Sequence, residues 1–207
     1  MNQTRFRPTD IDKVSTGGSK FLGFLPVSIL NYEDRSSEFN WADVFLSITL
    51  QSEGSQYTTE LKIVGSYDRE DNGNIQHCTL LKRLYWFFDL IGFEGGPNLK
   101  GDIVDADGNK IDNLEKFLHE NYLVKPNTPD IFKYYAYIYK EQGKKDKSKS
   151  YTTVYPRLVE NTDSGRKELE GYVNFLKSKN IIKEAEQTPF TPNTTETNGA
   201  MGTPTQF

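Results

Sequence analysis

Six of the chain's twelve tyrosines, Tyr134, Tyr135, Tyr137, Tyr139, Tyr151 and Tyr155, fall within residues 134–155. Around them lie Lys133, Lys140, Lys144, Lys145, Lys147, Lys149 and Arg157. Read as two strands, the segment sorts by alternation. Lys133, Tyr135, Tyr137 and Tyr139 share a face of the first strand, and Tyr151, Thr153, Tyr155 and Arg157 share a face of the second. The opposite faces, Phe132, Tyr134, Ala136, Ile138 and Thr152, Val154, Pro156, Leu158, are mostly apolar. An aromatic face edged with lysine suits single-stranded nucleic acid: each ring stacks a base for ~1–3 kcal/mol, and the cations neutralise phosphates. The same pattern also suits a solvated β-ribbon, because tyrosine favours strands and lysine blunts exposed edges.

Catalytic chemistry is less well represented. His77 and Cys78 are neighbours in the chain and cannot both face one site from a helix, and His119 is the only other histidine. Neither a Cys/His zinc set nor a nucleophile–base pair is indicated. Asp105, Ala106, Asp107, Gly108 and Asn109 resemble part of a calcium loop, but Ile103 and Leu114 occupy the positions of its first and last ligands. Gly92, Gly95 and Gly96 lack phosphate-loop spacing, and Ser164-Gly165-Arg166-Lys167 lacks the upstream glycine. Asp43, Glu60, Asp68 and Asp89 permit a nuclease-like carboxylate cluster, though no spacing singles it out. The expectation is no catalytic residue, no metal and no cofactor.

The elements that must position the tyrosines follow from periodicity. Residues 21–30, 41–50 and 57–67 read as three antiparallel strands, the second alternating Ala42, Val44, Leu46, Ile48 and Leu50 against Trp41, Asp43, Phe45, Ser47 and Thr49. The period then becomes helical over 77–91, with Leu80, Leu81, Leu84, Phe87, Phe88 and Ile91 on one side and Gly92 as the left-handed cap. Residues 94–130 read as an insertion holding a hairpin at 105–109 and a short helix at 113–122. Strands at 132–140 and 151–159 form a long hairpin around the lysine loop. A last helix starts at Asp163 or Ser164 and runs to about Lys179, with Leu169, Tyr172, Val173 and Leu176 inward. Residues 1–20 are a polar arm carrying Arg5 and Arg7. Residues 184–207, rich in Thr, Pro, Asn and Gly, are a disordered tail. Residues 21–183 are therefore expected to be one mainly β, OB-like barrel domain with a central helix, an insertion and a C-terminal helix.

The net charge of −4 conceals segregation: residues 21–130 carry −9 and residues 131–183 carry +6. One cysteine, a polar start and no membrane-length apolar run point to a soluble protein of the cytoplasm. On the strand-rich start, the helix Thr79-Leu80-Leu81-Lys82-Arg83-Leu84 running into Leu90-Ile91-Gly92-Phe93, and the tyrosine-rich hairpin, residues 21–159 resemble the OB-fold single-stranded DNA-binding proteins of tailed bacteriophages. That resemblance implies non-specific coating of single-stranded DNA in replication or recombination, in the host cytoplasm. It also implies a tail, here ending in Phe207 with Glu184, Glu186 and Glu196, that recruits replication proteins. Two other expectations stand beside it. One is a protein-interaction or structural viral component using the same tyrosine face; the other is a metal-dependent nuclease. The sequence leaves the oligomeric state open.

Overall fold

Alternating apolar residues build the first sheet strands in the computed structural model, which describes residues 21–123, 131–143 and 145–185. The expected arm at 1–20 and the tail from 186 onward lie outside the described residues. Strands β1 (Gly23–Asp34), β2 (Val44–Ser52) and β3 (Thr58–Gly65) form the expected antiparallel meander. Val44, Leu46, Ile48 and Leu50 point inward with Leu61 and Ile63 opposite them, all at most 5 % exposed. A bulge between Ile29 and Asn31 shifts the β1 register and turns Leu30 outward.

Helix α1 (Thr79–Ile91) buries Leu80, Leu84, Phe87 and Phe88, the face that its 3.6-residue period set out. Gly92 ends it at φ +77°, a left-handed turn that costs glycine nothing, and its N–H reaches the carbonyls of Phe88 and Asp89. A two-stranded ribbon of β4 (Gly96–Pro97) and β5 (Ile103–Val104) follows, with the expected turn at Asp105 to Asn109 held by Asp105 Oδ1. Helix α2 (Leu114–Tyr122) begins at Asn113, whose side chain caps the Lys116 N–H at 2.8 Å.

Residues 94–130 were expected to be a mere insertion, but α2 is part of the main body. Leu114 and Leu118 join the main core cluster. The α2 side chains also complete β1 where strand pairing ends. Tyr32 and Asp34 have no strand on that edge, so Glu115 Oε2 accepts the Asp34 N–H at 3.1 Å and His119 Nε2 lies 2.8 Å from the Tyr32 carbonyl. The Tyr32 hydroxyl donates to the Tyr122 carbonyl at 3.2 Å. A buried backbone group without a partner is costly, and here helix side chains replace a missing strand.

Strand β6 (Tyr134–Gln142) pairs with β1 on one side and with β7 (Ser150–Val154) on the other, giving the order β3-β2-β1-β6-β7. The last expected strand, 151–159, is broken. Pro156 has no N–H for the ladder, so β7 ends at Val154 and the short β8 (Val159–Glu160) returns to pair with the start of β6. End strands β3 and β7 come within 8 Å of each other between Cα atoms, yet no ladder joins them among the described residues. The six-stranded sheet therefore curves back on itself without closing.

Helix α3 (Asp163–Ser178) is capped by Thr162, one residue before the expected Asp163 or Ser164, through its Oγ1 and the Gly165 N–H at 3.2 Å. Beyond it the chain stays ordered two residues into the expected tail, where the Ala185 N–H donates to the Lys140 carbonyl at 2.7 Å and Glu184 pairs with Lys177. Among the described residues no helix is long and apolar enough to cross a membrane. His119→Ala removes the partner of the Tyr32 backbone while Glu115 still holds Asp34. Urea unfolding is expected to show a loss of about 1–3 kcal/mol with the fold retained.

Candidate nucleic-acid interface

Strand β6 is apolar on both faces, and each face meets a different core. Tyr134, Ala136 and Ile138 point into the main cluster with Val27, Leu46 and Phe88. Tyr135 and Tyr137 point the other way and are 7 % and 2 % exposed, packed with Val159, Leu169, Val173, Leu176 and Ile182. The alternation therefore sorted the residues correctly, while the expected openness of the tyrosine face is corrected at these two positions. Helix α3 lies on it, because Leu169, Val173 and Leu176 form an apolar stripe that must be buried somewhere.

The covering is specific in geometry. Phe24 lies against Tyr137 at 4.6 Å between centroids, and Tyr137 stacks on Tyr139 at 5.3 Å with ring planes 11° apart. Lys177 Nζ stands 4.5 Å over the Tyr137 ring and the Arg166 guanidinium 5.4 Å over Tyr135. The Tyr135 hydroxyl donates to Glu170 Oε1 at 3.0 Å. Burial raises the hydroxyl pKa of Tyr135 above the usual tyrosine range, and acceptance by Glu170 adds to it. These rings are committed to holding α3.

Lys133 and Arg157 also leave the proposed face. Lys133 is exposed at the start of β6, bordering a cleft of about 720 Å³ with the carboxylates of Glu53, Asp89 and Glu160. Arg157 is ion-paired with Glu168 and lies 4.8 Å over Trp86 and 5.3 Å over Tyr172. Tyr155 is half-buried against Tyr172, 6.2 Å between centroids, and its hydroxyl pKa is raised by burial first and by its hydrogen bond to Tyr172 second.

What remains together is the end of the hairpin. Lys140, Lys145, Lys147 and Lys149 are exposed there, and Tyr151 is 57 % exposed beside them. Lys144 lies outside the described residues. Hydrogen bonds order this loop: the Gly143 N–H donates to the Lys149 carbonyl at 2.8 Å, and the Gln142 side-chain Nε2 donates to the Lys147 carbonyl at 2.8 Å. Ser148 donates to Asp146 through N–H and Oγ. Asp146 reaches one of the lysines, Lys149, at 3.6 Å between two exposed groups, an ion pair that binds weakly in water. Tyr139 is half-buried between this end and the stacked Tyr137.

Sequence reasoning passed over Tyr57. It is 56 % exposed just before β3 and borders a cleft of about 210 Å³ with Thr58, Thr59, Leu22 and Thr152 where β3 and β7 part. It shares that cleft with Thr152 of β7, but it stands far from the hairpin in sequence and in no motif. Trp41, named for its place on the polar face of the second strand, is 60 % exposed in the β1–β2 loop. Phe39 beside it stacks on Phe45 at 4.7 Å, and the Arg35 guanidinium lies 5.2 Å over Phe45.

The four carboxylates that permitted a nuclease centre are dispersed: Asp43 pairs with Arg69 at 2.9 Å and Glu60 with Lys62 at 3.0 Å. Among the described residues no three His, Cys, Asp or Glu side chains gather as a metal site would require. His77 and Cys78 sit at the start of α1, Cys78 as its N-cap without a side-chain bond. Compared with known protein families, curated proteins and solved structures, the chain has no match.

Tyr137→Ala opens a hole between two packed layers. It is expected to cost about 3–5 kcal/mol in chemical denaturation, as large-to-small changes of buried aromatics do, and to expose the α3 segment to hydrogen exchange.

Proposed function

We propose that the protein binds single-stranded DNA without turnover, using the lysine-rich end of the β6–β7 hairpin rather than the whole tyrosine face. The observation that carries this reading is the exposed Tyr151 ring set directly after Lys145, Lys147 and Lys149, which a loop with its own backbone bonds presents to solvent. A ring exposed beside solvent-facing ammonium groups, of which, among the described residues, Lys149 alone has a weak ion pair, offers base stacking and phosphate neutralisation in one place. The half-buried Tyr139 adds aromatic surface next to it.

The strand order supports the OB-like reading of the fold. An OB barrel pairs its first strand with the second and the fourth and carries its helix between the third and fourth; β1 pairs with β2 and β6, and α1 lies between β3 and β6. On this reading β3 and β7 are the closing edges, left open here by a narrow cleft. Coating of single strands during replication or recombination in a phage-infected cytoplasm fits such a module. On the same reading, recruitment of replication proteins falls to residues 184–207.

One observation favours a second reading. Trp41 is held out by a loop whose backbone is pinned to Ser66 Oγ, and Arg35, which lies over the neighbouring Phe39 ring, is neutralised by Glu38 at 2.7 Å. An exposed indole of this kind suits a protein partner.

Fluorescence anisotropy of labelled oligo-dT across a salt series separates the two. Wild type is expected to bind with an affinity that falls steeply with salt, and to prefer single strands over a duplex. Lys145→Gln, Lys147→Gln and Lys149→Gln together are expected to lower the log–log salt slope by about 2, from roughly 0.7 per phosphate contact on single strands. Tyr151→Ala is expected to cost about 1–3 kcal/mol of affinity with little change in slope. Absence of oligo-dT binding at low salt would reject the reading and leave the Trp41 surface to be tested with protein.

A further inference from the structure

We propose that the single strand runs from the lysine loop along the outer face of β7 and is gripped again at its far end by Lys82 and Arg83 of α1. This inference rests on the single-strand reading above and names residues that no reading of the hairpin alone supplies. Tyr151, Thr153 and Tyr155 occupy alternate outward positions on and just after β7, opposite Glu141, Tyr139 and Tyr137 of β6. Helix α3 seals Tyr135 and Tyr137 but leaves Tyr139, Thr153 and Tyr155 half-buried, so an aromatic track stays accessible beside the helix.

At the end of that track stand two cations from another part of the chain. Lys82 Nζ lies 4.7 Å over the Trp86 ring, whose neighbour Arg157 stands 4.8 Å from it and Tyr172 6.2 Å. Burial raises the hydroxyl pKa of Tyr139 and Tyr155, and the charge of Arg83, half-buried next to Lys82 on α1, opposes that rise at both. Arg157 is neutralised by Glu168, but among the described residues neither Lys82 nor Arg83 is in an ion pair. From Lys149 to Tyr155 is six residues of near-extended chain, roughly 20 Å, so the two cationic clusters flank the track rather than merge.

The acidic groups nearby set its limits. Glu141 is the one carboxylate on the outward positions of the β6–β7 ladder, opposite Tyr151, and its backbone bridges to Glu184. Past Trp86, Asp89 and Glu160 border a further cleft of about 410 Å³, which ends the favourable path for a polyanion. A span of ~20 Å between anchors accommodates a bound stretch at the low end of the roughly 4–16 nucleotides that one small barrel covers. Bases stack or pack along the tyrosines while phosphates meet lysine at one end and Lys82 and Arg83 at the other.

The test is oligo-dT anisotropy over a salt series with wild type, Lys82→Gln/Arg83→Gln, and the charge-keeping Lys82→Arg/Arg83→Lys. Two phosphate contacts are expected to take about 1.4 off the log–log salt slope in the Gln variant, and the charge-keeping variant is expected to restore it. Thermal melting of all three proteins identifies any loss of fold. An unchanged slope in the Gln variant, with the lysine-loop variant still impaired, overturns this inference and leaves the single-strand reading standing. No salt-dependent binding by wild type overturns both.

Discussion

Strand β6 has a hydrophobic core against each of its faces, and the rest of the molecule is arranged around that constraint. Tyr134, Ala136 and Ile138 close the curved sheet over Val27, Leu46 and Phe88, while Tyr135 and Tyr137 close the smaller layer under α3. A strand buried on both faces cannot also be a broad binding surface. What the hairpin offers to solvent is confined to its end, where β6 and β7 run past both cores, and to the outer side of β7, which α3 covers only in part, at Tyr155 through Tyr172. Loss of either core would release the other, because both pull on the same backbone.

Tyrosine is the residue that allows this. Its ring supplies apolar area for packing, and its hydroxyl accepts a boundary position, as Tyr135 does toward Glu170 and Tyr155 toward Tyr172. The cations of the late segment divide in the same way. Arg157, Arg166 and Lys177 lie over aromatic rings inside the structure, whereas Lys140, Lys145, Lys147 and Lys149 extend into water. Whole-segment charge counts both groups alike, although only the second is available to an external polyanion. The excess of positive charge in residues 131–183 is therefore partly a packing feature.

A similar economy operates at β1. Its outer half has no strand partner toward α2, and the helix supplies Glu115 and His119 in place of a ladder. That contact turns residues 94–130 from an appendage into a wall of the main core, with Leu118 fully buried. Nothing local to Glu115 or His119 marks this role, since the bonds join positions more than eighty residues apart.

Much was legible in the residues themselves. Period-two and period-3.6 patterns located four long strands, the start of the fifth, and three helices, Gly92 marked the end of α1, and the two faces of β6 were assigned correctly from alternation. The buried stripe of α3 was legible too, as Leu169, Val173 and Leu176. Its partner was not, because periodicity says that a face is buried without saying against what. An aromatic face such as Tyr135 and Tyr137 looks the same in sequence whether it meets solvent, a base or a helix. Local order is written in near-neighbour spacing and so can be read from the chain alone. The pairing of the α3 stripe with the tyrosine face, the joining of Trp86, Tyr172 and Tyr155 with Lys82 over the Trp86 ring, and the sharing of one cleft by Tyr57 and Thr152 are long-range contacts that only the tertiary structure decides.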